Sequence, residues 1–201
     1  MLNNRRRCDR CGSALPVDAR FCEQCGAPIG AAPPVAPAEV IIGHLPGERP
    51  GRQRGLLGWR QTNALTLVIT SSRLLFLRET DEMRDIWEAE TEALLVEEER
   101  SGLTWRELMD AYDWRGRTWA FLYDTAPDTL LAEHPDNDAL PLAGVISAAV
   151  ALSDEVDELV LQLAGGGVRT VLLKNQTGRP AAIFLAQALG PQRVHVIFQQ
   201  G

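Results

Sequence analysis

Past residue 25 the chain has no cysteine, and in all 201 residues it has one lysine, Lys174, and three histidines. Thiol chemistry is therefore confined to the N-terminus. Nineteen of the twenty basic residues are arginine, which is read as genomic base composition rather than a selected binding surface. His44, His134 and His195 are scattered, with no His-x-x-x-His or Glu-x-x-His spacing, and no Gly-x-Ser-x-Gly elbow occurs. Gly165-Gly166-Gly167 leads into no helix and is followed by no Lys-Ser/Thr, so it reads as a turn rather than a phosphate loop. No catalytic residues are assigned, and an enzyme is not expected. No run of eighteen apolar residues exists, which predicts no membrane span. A net charge of −7 argues against coating nucleic acid by bulk electrostatics. No apolar signal segment precedes Cys8, so the expected compartment is the reducing cytoplasm.

What the N-terminus does hold is Cys8-Asp-Arg-Cys11 and Cys22-Glu-Gln-Cys25. One Cys-x-x-Cys turn presents two sulfurs to one ion at about 2.3 Å each, and a second turn closes the tetrahedron. Gly12 and Gly26 each follow the second cysteine of a pair, where a residue without Cβ can take positive φ. A disulfide pair would suit a secreted chain, and a redox Cys-x-x-Cys would open a helix in a βαβ unit; neither context is expected here. Structural Zn²⁺ on Cys8, Cys11, Cys22 and Cys25 is the expectation, because four protein ligands leave no open position for catalysis. Iron on the same four thiolates stays open. The stretch from Cys8 to Gly12, then Ala19-Arg-Phe-Cys22 to Ile29, resembles the short zinc ribbons at the N-termini of many bacterial and archaeal proteins. That resemblance implies a small pair of β-hairpins around zinc and leaves the task open.

The expected organisation is a ribbon at 1–29, a semi-stiff Pro/Ala linker at 30–37 and an α+β domain at 38–201. Strands are predicted at Glu39–Leu45, Ala64–Thr70 and Leu74–Leu77, the last two joined through Ser71-Ser72. From Glu79 the spacing of Met83, Ile86, Trp87, Ala93 and Leu94 becomes helical. Thr104 and Glu107 form a capping-box signature for a second helix, whose Trp105, Leu108, Met109, Tyr112 and Trp119 share a stripe. Two antiparallel helices inserted at about 80–134 are expected, with the aromatic stripe as their seam against the sheet. The acidic run Glu97-Glu98-Glu99 reads as a solvated face. His134-Pro-Asp136-Asn-Asp138 reads as a capped turn. Strands are predicted again at Val145–Leu152, Glu158–Leu163, Val168–Leu173 and His195–Phe198, with a helix from Pro180 to Leu189 stopped at Gly190.

Leu67-Val-Ile-Thr-Ser-Ser-Arg-Leu-Leu-Phe76, with the later antiparallel strands and late helix, resembles bacterial pleckstrin-homology-like (PH-like) and GRAM-like domains. The chain is similar to a group of prokaryotic proteins that join a zinc ribbon to such a domain. The resemblance implies a split β-barrel, from which the helical insertion departs, and says little about task. With no catalytic constellation in the chain, the expected function is a non-catalytic adaptor whose ribbon and second domain contact a protein partner. Two other partners stay in view. Arg49, Arg52, Arg54 and Arg60, read as one loop, suggest an anionic membrane surface, and Arg5-Arg6-Arg7 with Arg10 suggest nucleic acid.

Overall fold

The computed structural model of the chain describes residues 6–8, 10–16, 19, 21–27, 38–50 and 63–199. The expected linker at 30–37 and Arg52, Arg54 and Arg60 lie outside the described residues. Contacts divide the chain into two units, Met1–Ala38 and Glu39–Gly201.

In the first unit β1 (Arg6–Arg7) and β2 (Ala14–Leu15) pair antiparallel, Arg6 opposite Leu15. Its buried apolar cluster is Cys8, Leu15, Cys22 and Ala27, with Ala19 and Cys25 packed against it. Two of those four buried residues are themselves thiols, and a core that small does not offset chain entropy without a further tie such as a metal.

The second unit is built on one eight-stranded sheet. β3 (Ile41–Arg49), β4 (Asn63–Thr70), β5 (Arg73–Arg78) and β6 (Asp138–Pro141) form one antiparallel meander. A second meander comprises β7 (Val145–Leu152), β8 (Asp157–Leu163) and β9 (Val168–Leu173). The two join where β9 meets β3 over two residue pairs, Gly47 opposite Leu173 and Glu48 opposite Leu172. β10 (Val194–Phe198) adds to β7, the one parallel pairing among the described strands. The order is β10-β7-β8-β9-β3-β4-β5-β6, with β10 and β6 as unjoined edges, so the sheet is open and mostly antiparallel.

Between β5 and β6 the chain leaves the sheet as α1 (Asp81–Ser101), α2 (Trp105–Ala111), α3 (Ala120–Asp124) and α4 (Pro127–Ala132). α1 starts at Thr80, whose hydroxyl accepts from the Met83 N–H at 3.1 Å, and stops at Gly102, where φ is 70°. The capping box at Thr104 and Glu107 is formed as the sequence indicates. The expected second helix running from Thr104 through Trp119 is not. α2 ends after seven residues, and Trp119 sits in a separate 3₁₀ turn, because Asp113 Oδ1 takes the Arg115 N–H in a local turn that breaks the helix. Trp105 leaves the stripe as well, donating its indole N–H to the Asn175 carbonyl at 2.9 Å.

Strand pairing puts His44, Val68 and Leu75 on one face of the sheet and Leu45, Leu67 and Phe76 on the other. The first face is covered by the helical segment, whose Trp87, Trp114, Trp119 and Tyr123 rings surround His44. β4 and β5 are therefore buried on both sides, which is why they read as continuous apolar runs rather than alternating ones. After β9, α5 (Gly178–Leu189) lies against β7, β10 and β3, burying Ala181, Leu185 and Leu189 four residues apart. β3 runs further than expected, to Arg49. β6 was not anticipated: Asp138 begins a strand instead of closing the turn, while Asn137 accepts the Arg78 N–H at 2.7 Å.

Candidate metal centre

The two Cys-x-x-Cys turns are built alike. In the first, the Cys8 N–H donates to the Ser13 carbonyl and the Gly12 N–H to the Cys8 carbonyl, each at 2.8 Å. In the second, the Cys22 N–H donates to the Ala27 carbonyl at 2.7 Å and the Gly26 N–H to the Cys22 carbonyl at 2.8 Å. Gly12 and Gly26 have φ of 73° and 70°. A Cβ on either would meet nothing within 4 Å, so glycine is needed for its backbone conformation and not for space.

Repeating this turn brings four Sγ atoms within 4.8 Å of one another. Across the two turns, Cys8 Sγ lies 3.7 Å from Cys25 Sγ and Cys11 Sγ 3.6 Å from Cys22 Sγ. A regular tetrahedron with metal–sulfur bonds of about 2.3 Å has edges of about 3.8 Å, and a disulfide bond is about 2.05 Å. The thiols are thus free and spaced for a tetrahedral ion. All-thiolate donor sets are soft, which suits zinc or iron and excludes magnesium and calcium.

Ser13 organises the sulfurs. Its hydroxyl lies 3.0 Å from Cys11 Sγ and 3.1 Å from Cys22 Sγ. That contact holds the Cys11 thiol below its ordinary value and brings Cys22 down to about 6. Cys25 moves the other way: although Ala27 lowers it, burial and the neighbouring sulfurs push it up to about 12. Four thiols in contact cannot all ionise unless a cation offsets the repulsion, so the cluster is chemically complete only with an ion in it. Cys8 and Cys22 are buried, Cys25 half-buried and Cys11 exposed.

Residues 7–29 match the zinc-ribbon domain. No curated protein matches the chain. Around the ribbon's cysteines, Phe21 is 64% exposed, and Arg7 and Arg10 are exposed too. Ser13 was not singled out from the sequence, since a lone serine two residues after a cysteine carries no spacing signal.

The other candidate positions fall elsewhere. Arg49 is the last residue of β3 rather than a loop residue, and its guanidinium pairs with Asp138 at 3.1 Å; Asp138 also takes Arg169 at 2.8 Å. His134 lies near Arg78 and Asp136, His195 is exposed on β10, and His44 is fully buried. Among the described residues the four cysteines are the one group of three or more His, Cys, Asp or Glu able to hold a metal. No described helix is long and apolar enough to cross a membrane.

Proposed function

We propose that the chain is a non-catalytic adaptor in which Zn²⁺, held by Cys8, Cys11, Cys22 and Cys25, closes the ribbon as a small docking module and the second unit supplies another contact with protein. The observation that carries the zinc assignment is the crosswise sulfur spacing of 3.7 and 3.6 Å. A closed four-thiolate shell supplies folding free energy and no open coordination position. Phe21 offers the ribbon an apolar contact with a partner. Two modules on one chain raise each other's effective concentration, so each can be weak alone. A reduced thiolate centre suits the cytoplasm.

The second unit is read as PH-like. Supporting this are the two antiparallel meanders, joined through β3 and β9, and the late helix α5 packed across both. Arg49, already paired with Asp138, contributes less to an anionic-ligand reading than an unpaired loop arginine would.

Elemental analysis of the purified chain should give one zinc per chain, and Co²⁺ substitution should give thiolate charge-transfer absorption. A Cys22→Ser, Cys25→Ser chain should lose both; a wild-type chain that binds no tetrahedral metal refutes the assignment. Cross-linking purification from the native host, wild type against that double variant, tests the adaptor reading. Recovery of no specific partner by either chain ends it.

A further inference from the structure

α1 carries nine carboxylates and two guanidinium groups between Asp81 and Ser101, a balance of −7 that equals the net charge of the whole chain. The rest of the protein is therefore neutral in sum, and its electrostatic asymmetry resides in one helix. That helix is also only half used by the fold. Met83, Trp87, Thr91 and Leu95 follow one another at four-residue spacing and share a face. Met83 and Trp87 are 3% and 5% exposed, whereas Leu95 is 50% exposed and its neighbour Val96 62%. The core-facing stripe thus runs on past the sheet that covers its beginning.

Where α1 departs from the sheet there is a groove of about 520 Å³. Trp87, Thr91 and Leu95 form one wall, Pro46 of β3 and Ala64 of β4 the floor, and Lys174 part of the far side. Glu88 and Glu92 line it as well, both exposed, and so do Glu79 and Arg84, the latter paired with Asp81 at 3.0 Å and Glu79 at 3.9 Å. Lys174 is occupied by Glu48 at 3.5 Å and Glu79 at 3.8 Å. Glu88 and Glu92 form no ion pair among the described residues. Trp87, which lines this groove at 5% exposure, has an indole N–H with no acceptor among the described residues. A buried donor of that kind is costly unless something accepts from it.

We infer that this groove docks a basic amphipathic segment of a partner protein, apolar side chains against Trp87 and Leu95 and arginine or lysine against Glu88 and Glu92. An apolar strip with an exposed acidic rim is the complement of a basic amphipathic helix, which would lay its apolar face into the groove. The charge complementarity excludes nucleic acid and anionic membrane as occupants, since both would meet the most negative element of the chain. The proposal deepens the adaptor reading, naming the surface and partner chemistry of the second unit.

The test uses the full zinc-loaded chain and a labelled synthetic 18-residue peptide with leucines on one helical face and arginines on the other. Fluorescence anisotropy should show saturable binding at about 0.1 M salt, weakening as salt rises. Glu88→Gln with Glu92→Gln should weaken it at least fivefold, and Leu95→Ser about fivefold, because half of one leucine's burial is lost. Glu82→Gln with Glu97→Gln, the same charge change away from the groove, should alter it less than twofold. In ¹H–¹⁵N spectra the Trp87 indole signal, assigned through Trp87→Phe, should shift more than the other four. The proposal is overturned if both double variants weaken binding equally, if a leucine-scrambled peptide binds as well, or if the Trp87 signal stays put. Because the probe is synthetic, those outcomes remove the groove alone, whereas the absence of any cross-linked host partner removes the adaptor reading alone.

Discussion

His44 should make the second unit acid-labile by an amount that can be calculated. It is 0% exposed, its Nδ1 lies 3.1 Å from the Tyr123 hydroxyl, and its Nε2 has no hydrogen-bond partner among the described residues. Four aromatic rings stand within 4.5 to 6.0 Å of its ring centre. Burial without a carboxylate nearby lowers its pKa from 6.5 to about 3. The unfolded chain therefore binds a proton that the folded chain refuses, and stability falls as pH drops below 6.5 until the folded value is reached. At about 1.4 kcal/mol per pH unit, the loss between pH 7 and pH 5 is about 2 kcal/mol. Urea unfolding followed by tryptophan fluorescence reads this unit alone, because all five tryptophans lie beyond residue 38. His44→Gln removes the titration while the carboxylates, thiols and other histidines stay, so its pH 7 to pH 5 loss should be about 2 kcal/mol smaller than that of the wild type. Equal losses in the two proteins would refute the reasoning, as would an NMR titration of the His44 ring above pH 5.

Asp157 is fully buried and accepts the Ser153 N–H at 3.0 Å and the Gly178 N–H at 2.8 Å, with Arg106 at 3.5 Å. Asp157→Ala should cost about 3–5 kcal/mol in urea unfolding, and a cost under about 1 kcal/mol would mean that water replaces the carboxylate. At the narrow junction of the two meanders, a Cβ on Gly47 would lie 2.8 Å from Val171 Cγ1 and 3.1 Å from the Leu172 carbonyl. Gly47→Ala should therefore destabilise by about 1–3 kcal/mol, where an unstrained glycine-to-alanine change would stabilise. Stripping the metal with a strong chelator should collapse the amide signals of Gly12 and Gly26 into the random-coil range, since little else holds the ribbon; unchanged dispersion would show a ribbon that folds without metal.

Much of this was legible in the chain because the physics is local. The spacing of Cys8, Cys11, Cys22 and Cys25 is a short-range constraint, and so is the glycine after each pair. The capping boundary at Thr104 and the helix stop at Gly190, where φ is 89°, follow from hydrogen bonding within one turn. The Ser71-Ser72 turn is legible in the sequence, whereas its support is not. Thr70 Oγ1 accepts the N–H groups of Ser72 at 3.2 Å and Arg73 at 3.0 Å, and the Glu39 carboxylate binds Arg73 and Ser72 from more than thirty residues away. β6 escaped notice because a four-residue strand containing proline has no period to detect. It exists because the edge of β5 offers it backbone partners. The expected aromatic stripe survives only in part, and the layer it joins centres on His44, a strand residue in contact with rings 43 to 79 positions later in the chain.

By itself the sequence determined the ligand set of the ribbon, the helix boundaries at Thr104 and Gly190 and most strand positions, because each depends on residues a few places apart. Only the tertiary structure decided that the sulfurs meet crosswise, that Ser13 sits between them and that a buried imidazole lies at the centre of the aromatic layer. The same holds for the long acidic helix, which outruns the sheet beneath it and leaves a groove. Those features depend on which distant faces come together, and distance in space is not written as spacing along a chain.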